Sequence, residues 1–235
     1  MSAAWTGVIP IYINNYNWLT STRAIAGFFA NIPGTTPIIV DNASTYPPLV
    51  AWYESECPYR VIRLGSNVGH NAPWRCGAEL SLEAHRTIFG SPFYAVTDSD
   101  LSFADCPPDV LDVLIAGLTT YGDCAKAGVS LELRDIPSDS IAGQAAKEWE
   151  EQFWRNRRDD RFFEADIDTT FAVYRAGVRW GNCLRSDRPY TARHLPWHIT
   201  CETLTDEQRY YLAHATSGQW TTYLQRALGL QAGGS

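Results

Sequence analysis

The chain has 235 residues, 45% of them hydrophobic and 19% charged, and a formal net charge of −7. This length fits one α/β domain, and the acidic balance argues against a nucleic-acid-binding protein, which usually carries a basic patch. The six cysteines form no Cys-X-X-Cys pair, which disfavours zinc ribbons and thioredoxin-like sites and indicates a reducing cytoplasm.

Strand and helix patterns alternate along the first half of the chain. Strands are predicted at 8–13, 36–40, 59–64 and 92–97, and helices at 21–31, 47–56 and 73–88. This alternation is typical of a parallel sheet with helices on both faces. In such sheets ligands bind beyond the carboxyl ends of the strands. Polar segments follow all four predicted strands, at 14–17, 41–45, 67–71 and 98–100. We therefore expect these four segments to lie together along the carboxyl edge of the sheet, where they form one polar surface, here called the rim.

The second half of the chain has a different pattern. A helix is predicted at 109–120 and a strand at 125–132, followed by a Trp-rich amphipathic helix over 140–159. A further strand at 169–174, a polar and aromatic loop at 189–198 and a helix at 205–214 complete the pattern. No linker separates domains, so residues 1–235 are predicted to form a single domain. No stretch approaches the roughly 20 apolar residues of a membrane span, so any membrane contact should be peripheral.

Two carboxylates, Asp98 and Asp100, directly follow the apolar strand at 92–97. Residues two apart on an extended strand share a face, so both side chains should point the same way where the strand meets solvent. Mg²⁺ and Mn²⁺ prefer carboxylate and phosphate oxygens. The pair is therefore a candidate metal site; the alternative is an ordinary strand end with two solvated carboxylates.

Three motifs carry a resemblance to a known family. They are Ile-Ile-Val-Asp-Asn-Ala-Ser-Thr at 38–45, Asn-Val-Gly at 67–69 and Thr-Asp-Ser-Asp at 97–100. Their order and spacing, over roughly residues 7 to 105, resemble the GT-A class of nucleotide-sugar glycosyltransferases, especially small bacterial family-two enzymes. The resemblance implies a GT-A, mainly parallel α/β fold. A nucleotide-sugar-binding half would occupy about 1–105 and an acceptor-side half about 106–230.

The resemblance also implies an activity. The chain would use Mn²⁺ or Mg²⁺ to move a sugar from a nucleotide-diphosphate sugar to a hydroxyl of a glycan or lipid-linked glycan. This would occur in the cytoplasm or at the inner face of the membrane, in bacterial polysaccharide or glycolipid assembly. The metal would bridge the diphosphate and neutralise the leaving nucleotide. No nucleic-acid partner is expected.

Residue roles follow from the same resemblance. The donor-binding set is Asn14, Tyr16, Asp41, Asn42, Asn67, Gly69, Asp98 and Arg193. Asp41 would accept from the nucleobase or ribose, and Asn42 would help to fix its loop. Asn67 and Gly69 would let the backbone approach the nucleotide. The alternatives are an Asx turn at Asp41 and an ordinary Asn/Gly turn at 67–69.

The second half supplies the remaining candidates. His194, in preference to His198, would complete the metal shell of Asp98 and Asp100, because neutral imidazole is a good ligand. Arg193 would bind phosphate, with Trp197 and His198 on the acceptor side; the alternative is a packed Trp-Pro turn with a surface histidine.

The catalytic base is a separate question. Asp168, in preference to Asp166, would deprotonate the acceptor hydroxyl; the alternative is a strand-entry or helix-capping aspartate. The chain lacks the Glu-Asp pair at which the family carries its base, so the base and the stereochemistry stay open.

Other classes fit the pattern less well. A sugar-phosphate nucleotidyltransferase usually has a Gly-rich basic loop after its first strand, where this chain has Asn-Asn-Tyr-Asn at 14–17. A dinucleotide-dependent dehydrogenase needs Gly-X-Gly-X-X-Gly there, and a phosphatase with an aspartate nucleophile usually places its Asp-X-Asp after the first strand. A nucleotide- or carbohydrate-binding protein without turnover also stays open, and the missing Glu-Asp pair favours it.

Overall fold

A computed structural model describes residues 7–215 and 218–230. Its strands are β1 (Ile9–Asn15), β2 (Thr35–Asp41), β3 (Arg60–Arg63), β4 (Phe93–Asp98), β5 (Leu101–Ser102), β6 (Cys124–Leu131), β7 (Phe162–Glu164), β8 (Phe171–Arg175) and β9 (Asn182–His194). Its α-helices are α1 (Thr20–Ala30), α2 (Pro47–Ser55), α3 (Ala72–Arg75), α4 (Leu82–Phe89), α5 (Val110–Thr120), α6 (Gly143–Glu150), α7 (Asp206–His214) and α8 (Gln219–Ala227). Short 3₁₀ turns lie at Gly69–Asn71, Glu151–Trp154 and Leu195–His198.

All nine described strands belong to one sheet, in the order β3-β2-β1-β4-β8-β6-β9-β5, with β7 also paired to β9. The β3-β2-β1-β4 half is entirely parallel. β8 runs antiparallel to β4 and β6, and β9 runs parallel to β6. The predicted α/β class with a parallel core sheet is confirmed. Because Asn14 is paired with Asp98 and Asn15 with Asp41, the carboxyl ends of β1, β2 and β4 lie at one edge.

The central strands are buried on both faces, which explains their nearly continuous apolar sequence. On one face, Ile11 and Ile13 of β1 belong to a large cluster that includes Phe29 of α1 and the apolar side of α5. On the other face, Tyr12 belongs to a smaller cluster in which Tyr94 of β4 stacks on Tyr174 of β8, with ring centroids 5.0 Å apart. The strands that carry the rim are thus held by closely packed apolar side chains on both faces of the sheet.

Several predicted elements have different limits. The helix predicted at 73–88 is two helices, because Gly77 adopts φ 88° after α3 and Ser81 caps α4 by accepting from the Ala84 N–H. The helix predicted at 140–159 ends as a 3₁₀ turn at Trp154, and Arg157 forms a β-bridge with Phe163. β7 and α8 were not predicted, and β9 includes much of the segment predicted as a loop at 189–198.

Gly128 is a position where the sheet excludes any side chain. A Cβ there would lie 2.1 Å from the Phe171 carbonyl oxygen of neighbouring β8, and backbone cannot move aside without shifting the strand. We expect Gly128→Ala to lower the free energy of unfolding by about 3 kcal/mol, as overpacked cores do. Gly122→Ala, where a Cβ meets nothing within 4 Å, should stay within about 0.5 kcal/mol of the parent. Urea denaturation measures both, and equal midpoints would contradict this packing.

Candidate active site

Side-chain hydrogen bonds join the carboxyl ends of β1 and β4 and the segments that follow β1 and β2. Asn14 donates from Nδ2 to Asp98 Oδ1 at 3.2 Å. Asn17 accepts at Oδ1 from the backbone N–H groups of Thr45 and Tyr46, at 2.8 and 2.9 Å. The segment after β1 therefore holds its two neighbours in place, as the predicted rim requires. Asn14 Oδ1 is buried without a partner among the described residues, so it can still accept a hydrogen bond.

Asp41 lies beneath the rim and not on its surface. Its side chain is fully buried, and Oδ2 accepts from Arg63 Nε at 3.2 Å and from the Ser44 N–H at 3.3 Å. The hydroxyl of Tyr53 donates to Oδ1 at 3.4 Å. The predicted contact between Asp41 and the nucleotide is therefore not available in this arrangement, and its turn-stabilising alternative is the one observed. Arg63, whose side chain is 45% exposed, lies at the surface in its place.

Arg63 was missed by sequence reasoning, although its position carries a signal. It is the last residue of β3, the fourth strand end on the rim, and it is basic. Its guanidinium lies 5.9 Å from the Tyr53 ring centroid and also donates to the Ser44 carbonyl at 3.3 Å. The rim thus has a partly exposed cation that the buried Asp41 holds in place.

Asn42 stabilises the 67–69 loop and not its own loop. Its Nδ2 donates to the Gly69 carbonyl at 2.8 Å, and its Oδ1 accepts from the Val68 N–H at 2.7 Å. Asn67 Oδ1 accepts from the Gly69 N–H at 2.9 Å, and Gly69 adopts φ 67°, which glycine tolerates best. The loop is a tight Asn/Gly turn clamped onto the end of β2, so its backbone is presented in one conformation.

Asp98 and Asp100 lie together at the carboxyl end of β4. Asp98 Oδ2 accepts from Thr169 Oγ1 at 2.6 Å, and its Oδ1 accepts from Asn14. Burial, and next the neighbouring Asp100 carboxylate, raise the pKa of Asp98 well above its ordinary value. Asp100 Oδ1 is buried without a partner among the described residues. Two close carboxylates with this electrostatic conflict form a site that a cation stabilises.

His194 faces Asp100, with Nε2 and Oδ2 3.3 Å apart. Its Nδ1 is buried without a partner in the described chain, and its ring packs against Trp197 at 4.6 Å. The described residues nevertheless contain no group of three or more His, Cys, Asp or Glu side chains arranged to hold a metal ion. Both side-chain oxygens of Asp98 already accept hydrogen bonds, and its part in a metal site stays a prediction.

Trp197 and Arg193 do not lie in the surroundings predicted for them. Trp197 is 2% exposed and packs against Trp220 in the core, so its indole cannot stack on a sugar. Arg193 forms ion pairs with both Asp105 and Asp135. As neighbours on a strand, Arg193 and His194 point to opposite faces, so Arg193 lies on the face opposite the metal candidate His194.

His198 lies next to Asp135, with His198 Nε2 and Asp135 Oδ1 3.9 Å apart. Burial lowers the pKa of His198, which favours the neutral imidazole. Its place on the acceptor side stays a prediction.

Two buried cations hold the segment that carries Asp166 and Asp168. Lys126 donates from Nζ to the Ile167 carbonyl at 2.6 Å, and Arg185 donates from Nε to the Asp166 carbonyl at 2.7 Å. Both cationic residues are less than 10% exposed, whereas Asp166 and Asp168 are exposed. Asp168 directly precedes Thr169, whose hydroxyl donates to Asp98 Oδ2 at 2.6 Å, so the segment that carries Asp168 contacts the metal candidates. The two hydrogen bonds fix the backbone of the segment and leave the Asp168 side chain accessible.

Helix α7 covers one side of the rim, a feature that the sequence did not indicate. Glu207 accepts from the Leu19 and Thr20 N–H groups at the start of α1. Tyr210 donates to the Thr45 carbonyl at 3.0 Å. Tyr211 is largely buried, and burial followed by the charge of Asp100 raises its pKa. The C-terminal part of the chain therefore forms a wall of the site.

No protein-family model and no curated protein matches this sequence. Among solved structures, the chain is similar to a mannosyltransferase from Pyrobaculum calidifontis, solved with GDP-Man and Mn²⁺. The identity is 13% and the TM-score 0.44, over 74% of this chain and 48% of that one. It is also similar to glucosyl-3-phosphoglycerate synthase from Mycobacterium tuberculosis, solved with phosphoglyceric acid. Here the identity is 14% and the TM-score 0.44, over 72% of this chain and 57% of that one.

A 4-diphosphocytidyl-2C-methyl-D-erythritol synthase is similar over more of its length. The match covers 97% of this chain and 87% of that one, at 12% identity and a TM-score of 0.41. This chain spans only about half of the first two proteins. Function rests on the geometry of the site.

Proposed function

We propose that this chain is a glycosyltransferase that uses a nucleotide-diphosphate sugar and a divalent cation, Mn²⁺ or Mg²⁺. It transfers the sugar to a hydroxyl of a glycan or lipid-linked glycan. One observation carries the proposal: the Asp98–Asp100 pair meets His194 and the Asn14 side chain at the rim of a parallel sheet, with buried polar atoms that lack partners in the described chain. Ligands of α/β sheets bind at this edge.

The donor atoms at this edge fit a hard cation. Asp100 Oδ1 is a buried oxygen without a partner in the described residues, and such an atom is costly unless a ligand satisfies it. The imidazole nitrogen Nε2 of His194 faces the other Asp100 oxygen at 3.3 Å. Asp100 and His194 would hold the cation, with Asp98 behind them adding negative charge. The cation, when bound, supplies Lewis-acid stabilisation of the leaving diphosphate.

The nucleotide would lie across the ends of β1, β2 and β3. Asn14 offers a side-chain oxygen, and the clamped loop at 67–69 offers backbone that glycine keeps accessible. Arg63 supplies a cationic donor that is already held by Asp41. Tyr16, whose hydroxyl donates to the His214 carbonyl at 3.0 Å, fixes the wall formed by α7.

Asp168 would act as the general base toward the acceptor hydroxyl. Its side chain is exposed at the rim, and the buried Lys126 and Arg185 fix the backbone at Ile167 and Asp166. A carboxylate needs such positioning to remove a proton as the hydroxyl attacks.

A place for the reaction follows from the family resemblance. We propose the cytoplasm, at the inner face of the membrane, in the assembly of a surface polysaccharide or glycolipid. No helix within residues 7–215 and 218–230 has the length and apolar content to cross a bilayer. In this proposal the acceptor is met at the membrane surface.

A panel of nucleotides tests the donor site. The melting temperature is measured with UDP, GDP, dTDP and CMP, each with and without Mn²⁺. A ligand that binds the folded state alone stabilises by about 2.7 kcal/mol at about 100 times its Kd. We expect one nucleotide to raise the melting temperature only when Mn²⁺ is present. No shift for any nucleotide would refute the donor site, and a shift independent of Mn²⁺ would refute the role of the cation.

A further inference from the structure

A concave surface lies beside the proposed donor site. It is a groove of about 560 Å³ between β5, the end of β6 and the outer face of β9. This volume is within the roughly 300–1,000 Å³ of small-molecule sites. Ser102 lies two residues after Asp100, and Arg193 directly precedes His194; both line the groove. The groove is therefore separated from the metal candidates only by the β5–β9 ribbon.

The charged groups of the groove neutralise one another. They are three carboxylates and three guanidinium groups: Asp105, Glu132, Asp135, Arg134, Arg188 and Arg193. Glu132 pairs with Arg134 at 2.8 Å and with Arg188 at 2.9 Å. Arg193 bridges the two aspartates. Every guanidinium in the lining therefore has a carboxylate partner already in place.

This lining selects against charged ligands. An anion such as a phosphate would have to displace a carboxylate from an arginine and then lie beside the displaced charge. A cation would have to displace an arginine from a carboxylate and then lie beside the displaced positive charge. A sugar hydroxyl, which both donates and accepts, can bond to a guanidinium and a carboxylate without separating them, and bonds to charged partners are stronger than neutral ones. Thr191 and Ser102 add neutral polar groups, and the exposed Pro189 adds apolar surface.

We propose that this groove binds an uncharged saccharide. That the saccharide is the acceptor glycan rests on the proposed function; the binding itself does not. The groove then explains why β9 continues to His194: the strand carries His194 on its inner face and the saccharide-binding Arg193 on its outer face.

Ligand-observed NMR on the full chain tests the proposal. The probes are maltose, cellobiose and lactose as neutral saccharides, with glucose 6-phosphate and glucosamine as charged ones. Each probe is measured with and without UDP, GDP and Mn²⁺, so an ordered mechanism does not hide binding. We expect at least one neutral disaccharide to bind and the charged probes to give no signal. Binding of only a charged probe, or of no neutral saccharide under any condition, would overturn the proposal.

Three variants locate the binding. Ser102→Trp should weaken neutral-saccharide binding by about tenfold or more, the equivalent of about 1.4 kcal/mol, because the indole fills the groove. Ser55→Trp places the same indole on the exposed end of α2 and should leave binding unchanged. Asp105→Asn alters a carboxylate that is 72% exposed, leaves a net positive groove and should allow glucose 6-phosphate to bind.

The outcomes separate this proposal from the donor site. Equal affinities for the two tryptophan variants would refute the groove, provided Ser102→Trp keeps the parent's melting temperature. If it does not fold, Asp105→Asn decides: unchanged rejection of glucose 6-phosphate refutes the charge argument. Because the saccharide titration without nucleotide does not need the donor site, the groove can be confirmed even if the nucleotide panel fails, and the reverse also holds.

Discussion

Replacing Asp100 with alanine should lower kcat by roughly 10³-fold, because a bound cation contributes several kcal/mol of charge stabilisation and each 1.36 kcal/mol is about a factor of ten. The Mn²⁺-dependent part of the nucleotide thermal shift should disappear as well. Asp100 contributes a buried, unpartnered oxygen and faces His194 at 3.3 Å. No other acidic side chain in the described residues combines these two features.

The fold of this variant should be intact or more stable. The Asp100 carboxylate is one cause of the raised pKa of Asp98, so its removal relieves repulsion between two close carboxylates. Melting temperature without nucleotide therefore distinguishes loss of function from loss of fold. Asp139→Ala, which removes an exposed carboxylate outside the rim segments, is the matched control and should keep the parental rate. An unchanged rate in the Asp100 variant would refute the metal assignment.

The rim could be predicted from the sequence because its strands are short, apolar and regularly spaced. Parallel pairing brings strand ends together, and the register places Asn14 beside Asp98 as the alternation of strands and helices implies. The direction of each side chain within the rim could not be predicted from the sequence in the same way. Asp41 follows a buried strand in the same way as Asp98, but its neighbours Arg63 and Tyr53 bury it. Such partners come from other elements, so the residues next to Asp41 in the sequence do not predict them.

The second half of the chain was harder to predict from the sequence, because its charged residues also find their partners in other elements. β9 is an extended strand of 13 residues in which Arg185, Arg188 and Arg193 are interspersed with shorter side chains. Local residue propensities predict a loop for such a charged segment. In the fold each arginine meets a carboxylate from a distant element: Glu150, Glu132 and Asp135 respectively. The last two pairings also line the groove, so neither the strand nor the groove can be found from residue spacing.

Replacing Asp168 with asparagine should lower kcat by about 10²–10⁴-fold, the usual contribution of a positioned general base. The amide keeps the size of the side chain but cannot accept the proton. The nucleotide and Mn²⁺ thermal shift should persist, because Asp168 is assigned to the acceptor and not to the donor. Steady-state transfer, measured with the sugar donor of the nucleotide identified by the panel, should therefore show a fall in kcat with little change in KM for the donor.

Asp166→Asn is the matched control, because the two residues share one held segment and both side chains are exposed. The distinction between them is positional: Asp168 directly precedes Thr169, whose hydroxyl donates to Asp98 Oδ2 at 2.6 Å. A large loss in the Asp166 variant with none in the Asp168 variant would transfer the role of base to Asp166. Parental rates in both would show that the proton goes elsewhere, while the donor site would stand on the Asp100 result.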